Sequence, residues 1–165
     1  MKPLYSLLFV LIFTCLLQAC KEEASQNADV AVETSDEMAY DSALALKLGA
    51  DEYGMKRFVM AFLKAGPNQD MDSAKAVELQ RAHLDNIFRL ADEGKLVLAG
   101  PFMDGGELKG VYVFNVATVE EAEALTNTDP AVQAGRFVME LHPWYGSAAT
   151  CMLNDQHKRV QKTKI

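Results

Sequence analysis

Two spacings of apolar residues divide most of the chain into strand and helix segments. The run MKRFVMAFL is typical of a strand, whereas AKAVELQRAHLDNIFRLADEG repeats its apolar residues at helical spacing, and glycine or proline separates the runs. The pattern predicts strand, helix, strand, strand, helix and strand at residues 55–63, 72–93, 96–99, 109–116, 118–127 and 137–144. That order predicts an α+β, ferredoxin-like β-α-β-β-α-β fold, with both helices on one face of an antiparallel sheet.

Both faces of this predicted sheet are apolar. In the first strand, the even-numbered residues 58–62 lie on one side and the odd-numbered residues 59–63 on the other, and all are apolar. Two helices cover only one face, so a second copy of the chain is the simplest cover for the other. An arm at residues 38–52, with a short helix within 40–48, is the alternative cover. The pattern therefore predicts a homodimer.

The longer predicted helix has an apolar stripe at one side. The stripe consists of Val77, Leu84, Ile87, Phe88 and Ala91, and charged residues occupy the opposite side of the helix. We expect the stripe to face the sheet.

The first twenty residues have the pattern of a bacterial lipoprotein signal. Lys2 precedes an apolar run, 3–19, that ends in Leu-Gln-Ala followed by Cys20. This ending is similar to a lipobox, in which a diacylglyceryl group is attached to the cysteine sulfur and the chain is cut just before it. The residues predict a signal peptide at 1–19 and lipidation at Cys20. An uncleaved membrane helix or an ordinary secretory signal is the alternative.

The segment after Cys20 is polar. Residues 20–37 carry six carboxylates and no aromatic side chain, which predicts a flexible acidic tether. Lys21 directly after the cysteine resembles the sorting signal of outer-membrane lipoproteins, so we expect a periplasm-facing protein held on the bilayer by its acyl chains. The rest is predicted as a domain at 53–148 and a loose basic tail at 149–165.

Composition and charge argue against nucleic acid, metals and other cofactors as binding partners. The 165 residues include 16 Lys plus Arg and 23 Asp plus Glu, a net charge of -7, which argues against nucleic-acid binding. The cysteines and histidines lack the spacing of a metal site, so we expect neither a metal nor another cofactor.

The stretches HLDNIFRLADEGKLVLAGPFMDGGELKGVYVF and DPAVQAGRFVMELHPW carry a family resemblance. With them, residues 53–147 resemble the YCII-related family. The resemblance implies a dimeric α/β barrel, in which two ferredoxin-like units pair their sheets face to face. It also implies an active-site pair of His83 and Asp129, because the family pairs a histidine of the first helix with the aspartate of the Asp-Pro turn. The lipobox and tether lie outside the family pattern.

His83 and Asp129 each have a structural alternative. An imidazole suits proton transfer near neutral pH, but a lone helical histidine is more often a hydrogen-bonded core residue. An aspartate before a proline is a standard helix N-cap. One carboxylate oxygen of Asp129 can cap while the other accepts from His83, so we expect their side chains within about 2.6–3.2 Å or joined by one water.

The last strand suggests a second group of polar residues. Arg136, Glu140, His142 and Trp144 share one parity and interrupt an apolar face, which indicates a ligand pocket; a solvated sheet edge is the alternative. The leading interpretation is an envelope lipoprotein that binds a small organic molecule, with acid–base lyase or isomerase chemistry at the His-Asp pair. The other is a non-catalytic binding or envelope-interaction module in which His83 is structural.

Overall fold

Four antiparallel strands form one sheet in the order β2-β3-β1-β4 in the computed structural model, which describes residues 39–163. The strands are β1 (Met55–Ala65), β2 (Leu96–Pro101), β3 (Leu108–Phe114) and β4 (Phe137–Ser147). The helices are α1 (Ser42–Leu48), α2 (Ser73–Asp92), α3 (Val119–Thr126), α4 (Pro130–Gln133) and α5 (Leu153–Val160), with a 3₁₀ helix at Ala148–Met152. The predicted α+β, ferredoxin-like class is confirmed. The predicted signal peptide, tether and Cys20 lie outside the described residues.

Capping residues begin the two helices that cover the sheet. Asp72 accepts the Lys75 N–H at the start of α2, and Thr118 forms a capping box with Glu121 at the start of α3. Both helices pack on the sheet face that carries the odd-numbered residues of β1, here called the helix face. Its core includes Val59, Tyr112 and Phe114 of the sheet, Leu90 of α2 and Ala122 of α3.

The buried side of α2 differs from the predicted stripe. Leu79, His83, Asn86 and Leu90 are its buried residues, whereas Val77 is 70% exposed, so the prediction that Val77 faces the sheet is wrong. The other predicted stripe residues are half-buried. Buried polar side chains such as His83 and Asn86 have hydrogen-bond partners inside the protein, so they can lie on the buried side of a helix. The spacing of apolar residues alone does not reveal them.

The opposite face of the sheet, here called the outer face, carries the even-numbered residues of β1. Phe58, Val97 and Val113 are buried there, with Trp144 and Cys151 packed against them. Cys151 belongs to the 3₁₀ helix, so the C-terminal segment supplies part of the cover that was expected from a second copy or from the arm. Phe62, farther along β1, remains half-exposed.

The loose tail predicted at 149–165 is wrong as far as Val160, because residues 148–160 are folded. These residues form the 3₁₀ helix and α5, and the Asn154 side chain donates to the carbonyl oxygens of Leu96 at 2.7 Å and Ala91 at 3.4 Å. Lys158 also pairs with Asp92 at 3.3 Å. These polar contacts, together with the packing of Cys151 on the outer face, hold this segment against the sheet and α2. No helix among residues 39–163 combines the length and apolar character needed to span a membrane.

Candidate functional site

Asp129 and His83 form a buried hydrogen-bonded pair. Asp129 is the N-cap of α4, and its Oδ1 accepts the Ala131 N–H at 2.8 Å. Its Oδ2 lies 2.6 Å from His83 Nδ1. Asp129 is 0% exposed and His83 5% exposed. The predicted contact is confirmed, and one carboxylate both caps the helix and holds the imidazole; a catalytic role stays a prediction.

Tyr112 on β3 extends the pair to a chain of three side chains. Its hydroxyl oxygen lies 3.2 Å from His83 Nε2. An ionised Asp129 accepts from Nδ1–H, which leaves the lone pair of a neutral imidazole on Nε2, where it accepts the Tyr112 O–H. Tyr112 was not predicted as a site residue. The available signal was a phenol on an otherwise apolar strand face, because buried tyrosine hydroxyls need a partner.

The environment of Tyr112 keeps its phenol protonated. Burial raises the pKa of Tyr112 above its ordinary value of 10.0, and the negative charge of Asp129 raises this pKa further. Near neutral pH, Tyr112 therefore acts as a hydrogen-bond donor and not as a base.

A close contact between two loops positions the Asp129 turn. The loop after β1 donates the Gly66 N–H to Arg136 O at 2.8 Å and the Asn68 N–H to Gly135 O at 3.0 Å. A Cβ on Gly66 would lie 2.2 Å from the Gly135 carbonyl oxygen, so only glycine fits there. Gly135 itself has φ +69, which favours glycine. The turn bearing Asp129 is thus fixed to the end of β1.

A cavity of about 700 Å³ opens beside this chain of side chains. His83 and Tyr112 line it, together with apolar residues of α2, β2 and α5, among them Ile87, Phe88 and Leu98. Its volume is in the usual range for sites that bind small molecules. Most of the predicted apolar stripe of α2 therefore lines this cavity.

Phe137 and Arg136 lie at one side of the histidine. The Phe137 ring centroid is 5.1 Å from that of His83, and the Arg136 guanidinium lies 5.7 Å from the Phe137 ring. Phe137 lines the cavity, whereas Arg136 is not among its lining residues. Arg136 Nε is buried without a hydrogen-bond partner among the described residues.

Glu140, His142 and Trp144 lie on the outer face of the sheet, away from His83. They pair in register with Phe62, Met60 and Phe58 of β1. Glu140 accepts from Lys64 and contacts His142 at 2.8 Å, and the Lys64 contact is the main cause that lowers the pKa of Glu140. The structure therefore separates Glu140, His142 and Trp144 from the His83–Asp129 pair, whereas Arg136 lies near His83 across Phe137. A ligand role for the four predicted pocket residues stays a prediction.

Metal-ligating side chains do not gather in the part of the chain that the structure describes: no group of three or more His, Cys, Asp or Glu could hold an ion there.

Comparison with solved structures finds a similar enzyme. It is the 5-chloro-2-hydroxyhydroquinone dehydrochlorinase of Burkholderia phenoliruptrix, solved in complex with 2,5-dihydroxybenzoquinone. The two share 19% sequence identity with a TM-score of 0.41, over 53% of this chain and 92% of that chain. No protein with a curated description matches the sequence significantly.

The family comparison covers more than half of the chain. The YCII-related domain matches residues 57–145, a range that includes both His83 and Asp129. The chain therefore belongs to the YCII-related family.

Proposed function

We propose that the domain binds a small organic molecule in the cavity and transfers a proton on it, as a lyase or isomerase does. The observation that carries the proposal is the placement of His83, held between the Asp129 carboxylate and the Tyr112 phenol at the wall of a cavity large enough for a ligand. A carboxylate on Nδ1 fixes the tautomer and makes Nε2 more basic.

The proton is taken by His83 in this proposal. A C–H bond next to a carbonyl group breaks, its proton goes to Nε2, and its electron pair moves to the carbonyl oxygen as an enolate. The resulting imidazolium is stabilised by the Asp129 carboxylate on Nδ1. The Tyr112 hydroxyl, displaced from Nε2 by the substrate, donates to the enolate oxygen. Return of the proton to another carbon gives an isomer, and loss of a leaving group gives a lyase product.

Deuterium incorporation tests this proposal without knowledge of the natural substrate. A panel of small cyclic ketones and lactones is incubated with the protein in D₂O and followed by proton NMR. Wild-type protein is expected to accelerate exchange in at least one compound, and His83→Gln to slow that exchange by roughly 10²-fold or more. Arg81→Gln, an exposed change on the same helix, is the control and should keep the wild-type rate.

Two results would contradict the proposal. Exchange by His83→Gln at the wild-type rate would remove His83 from the chemistry. Binding of panel compounds with no exchange in any of them would favour the non-catalytic binding module instead.

We also propose that the mature protein is an outer-membrane lipoprotein facing the periplasm. The support is sequence alone: the charged start, the apolar run, the lipobox-like ending before Cys20, and Lys21. Cys20→Ser should remove the lipid mass and give either a soluble form or an unprocessed precursor that keeps residues 1–19. Cys15→Ser is the matched control, because that cysteine lies in the predicted signal peptide. Equal partition and mass of the Cys20→Ser and wild-type proteins would refute lipidation.

A homodimer is the third part of the proposal. The half-exposed apolar residues of the outer face, Met60 and Phe62, support it, since a second sheet could bury them. Residues 38–165 should sediment as a dimer, and Phe62→Glu should shift them toward monomer. A concentration-independent monomer at micromolar protein would refute it.

A further inference from the structure

In the part of the chain that the structure describes, the cavity lining lacks acidic residues, although the chain as a whole is acidic. The sequence carries 23 acidic residues and a net charge of -7. Yet among the described residues that line the cavity there is no aspartate or glutamate, whereas Lys109, His83 and His157 are present. Asp129 is close but is shielded behind His83. The lining formed by residues 39–163 therefore presents no carboxylate that would repel an anionic ligand.

Among the described residues that line the cavity, Lys109 is the only lysine or arginine. It is half-buried, and its Nζ donates to the carbonyl oxygen of Gly106 at 2.7 Å. No carboxylate within residues 39–163 forms an ion pair with it. An ammonium group has three N–H donors, and the bond to Gly106 uses one of them.

The C-terminal helix α5 completes the wall of the cavity. Leu153, Asn154 and Val160 are among the lining residues that it contributes, and the hydrogen bonds of Asn154 fix it to α2 and β2. This helix lies beyond residues 57–145, the range that the family comparison matches. Apolar walls lower the local dielectric constant and so strengthen the attraction between an ammonium group and an anion.

We propose that the cavity selects small apolar anions, with Lys109 binding the negative group while the apolar residues of α2, β2 and α5 enclose the rest of the molecule. Carboxylates and phenolates on a flat hydrocarbon body are the class that fits. The proposal rests on the proposed use of the cavity as a ligand site, and it deepens that function by naming the charge and the body of the ligand.

Two probes of the same shape and different charge test the selection. The full chain is titrated by calorimetry with 2-naphthoate and with its neutral counterpart 2-naphthamide. Wild-type protein is expected to bind the naphthoate about fivefold to tenfold more tightly, a modest factor because Lys109 is only half-buried. Lys109→Gln should reduce the affinity for naphthoate to that for naphthamide.

Controls separate charge from folding. Lys109→Arg should keep the preference, and Lys75→Gln, an exposed change on α2 whose lysine pairs with Glu78, should leave both affinities at the wild-type values. Equal affinities in the wild type, a preference that survives Lys109→Gln, or no binding of either probe would each overturn the proposal. Deuterium exchange depends on His83 and not on this preference, so a failure of the catalytic proposal would be visible separately.

Discussion

Replacement of Asp129 by alanine removes two contacts at once. Oδ1 no longer caps α4, which costs about 1 kcal/mol for a typical N-cap. Oδ2 no longer accepts from His83, and a buried donor left without a partner costs about 1–3 kcal/mol. The expected loss in the free energy of unfolding is therefore roughly 2–4 kcal/mol.

Urea unfolding at pH 7, followed by far-ultraviolet circular dichroism, measures this loss. The matched control is Thr118→Ala, which removes the N-cap of α3 at an exposed position and should cost about 1 kcal/mol. The double variant His83→Phe, Asp129→Ala removes both members of the pair, so neither the His83 N–H nor the Asp129 carboxylate is left buried without the other. Its loss should therefore be smaller than the sum of the two single losses.

One result would refute this reasoning. If Asp129→Ala costs no more than Thr118→Ala, the buried contact with His83 contributes nothing to stability, and Asp129 is a helix cap alone. Strict additivity in the double variant would lead to the same conclusion.

Three further predictions concern Tyr112, Asn154 and Gly66. The pKa of Tyr112 is raised in the folded state, so the phenol ionises first in the unfolded chain, and the free energy of unfolding should decrease as pH rises above 10.0. Denaturant midpoints measured between about pH 9 and 11 should therefore decrease less in Tyr112→Phe than in the wild type. Asn154→Ala should increase amide hydrogen exchange in α5 and weaken naphthoate binding, because the helix loses its bond to Leu96 O; unchanged exchange would contradict this. Gly66→Ala should lower the melting temperature by an amount equivalent to about 1–3 kcal/mol, since its Cβ would clash with the Gly135 carbonyl oxygen; a stability equal to wild type would contradict it.

The order of strands and helices could be predicted from the sequence because each element carries its own local signal. Period-two runs, the Asp72 and Thr118 caps, and the Asp-Pro turn all act within a few residues along the chain. The folded state of residues 148–160 could not be predicted in this way. It depends on contacts such as Asn154 with Leu96, which join positions far apart in sequence.

The candidate site, like the fold, could be predicted from the sequence only in part. The contact between His83 and Asp129 was predicted through the family resemblance, since the two residues are separated by 46 positions and no local rule joins them. Tyr112 was missed because its partner is a histidine on another element, and its own neighbours along β3 describe only an apolar strand. The predicted orientation of α2 was wrong because the His83 imidazole, hydrogen-bonded to Asp129, lies on the buried side of this helix.

The two edges of the sheet have consequences for aggregation. An exposed edge strand offers unpaired backbone groups to which a strand of another molecule can add. At the β2 edge, the Asn154 side chain already donates a hydrogen bond to the Leu96 carbonyl oxygen. At the β4 edge, Pro143 brings no backbone N–H to the strand. Strand addition is therefore disfavoured at both edges, and loss of α5 would open the β2 edge to growth of intermolecular sheets.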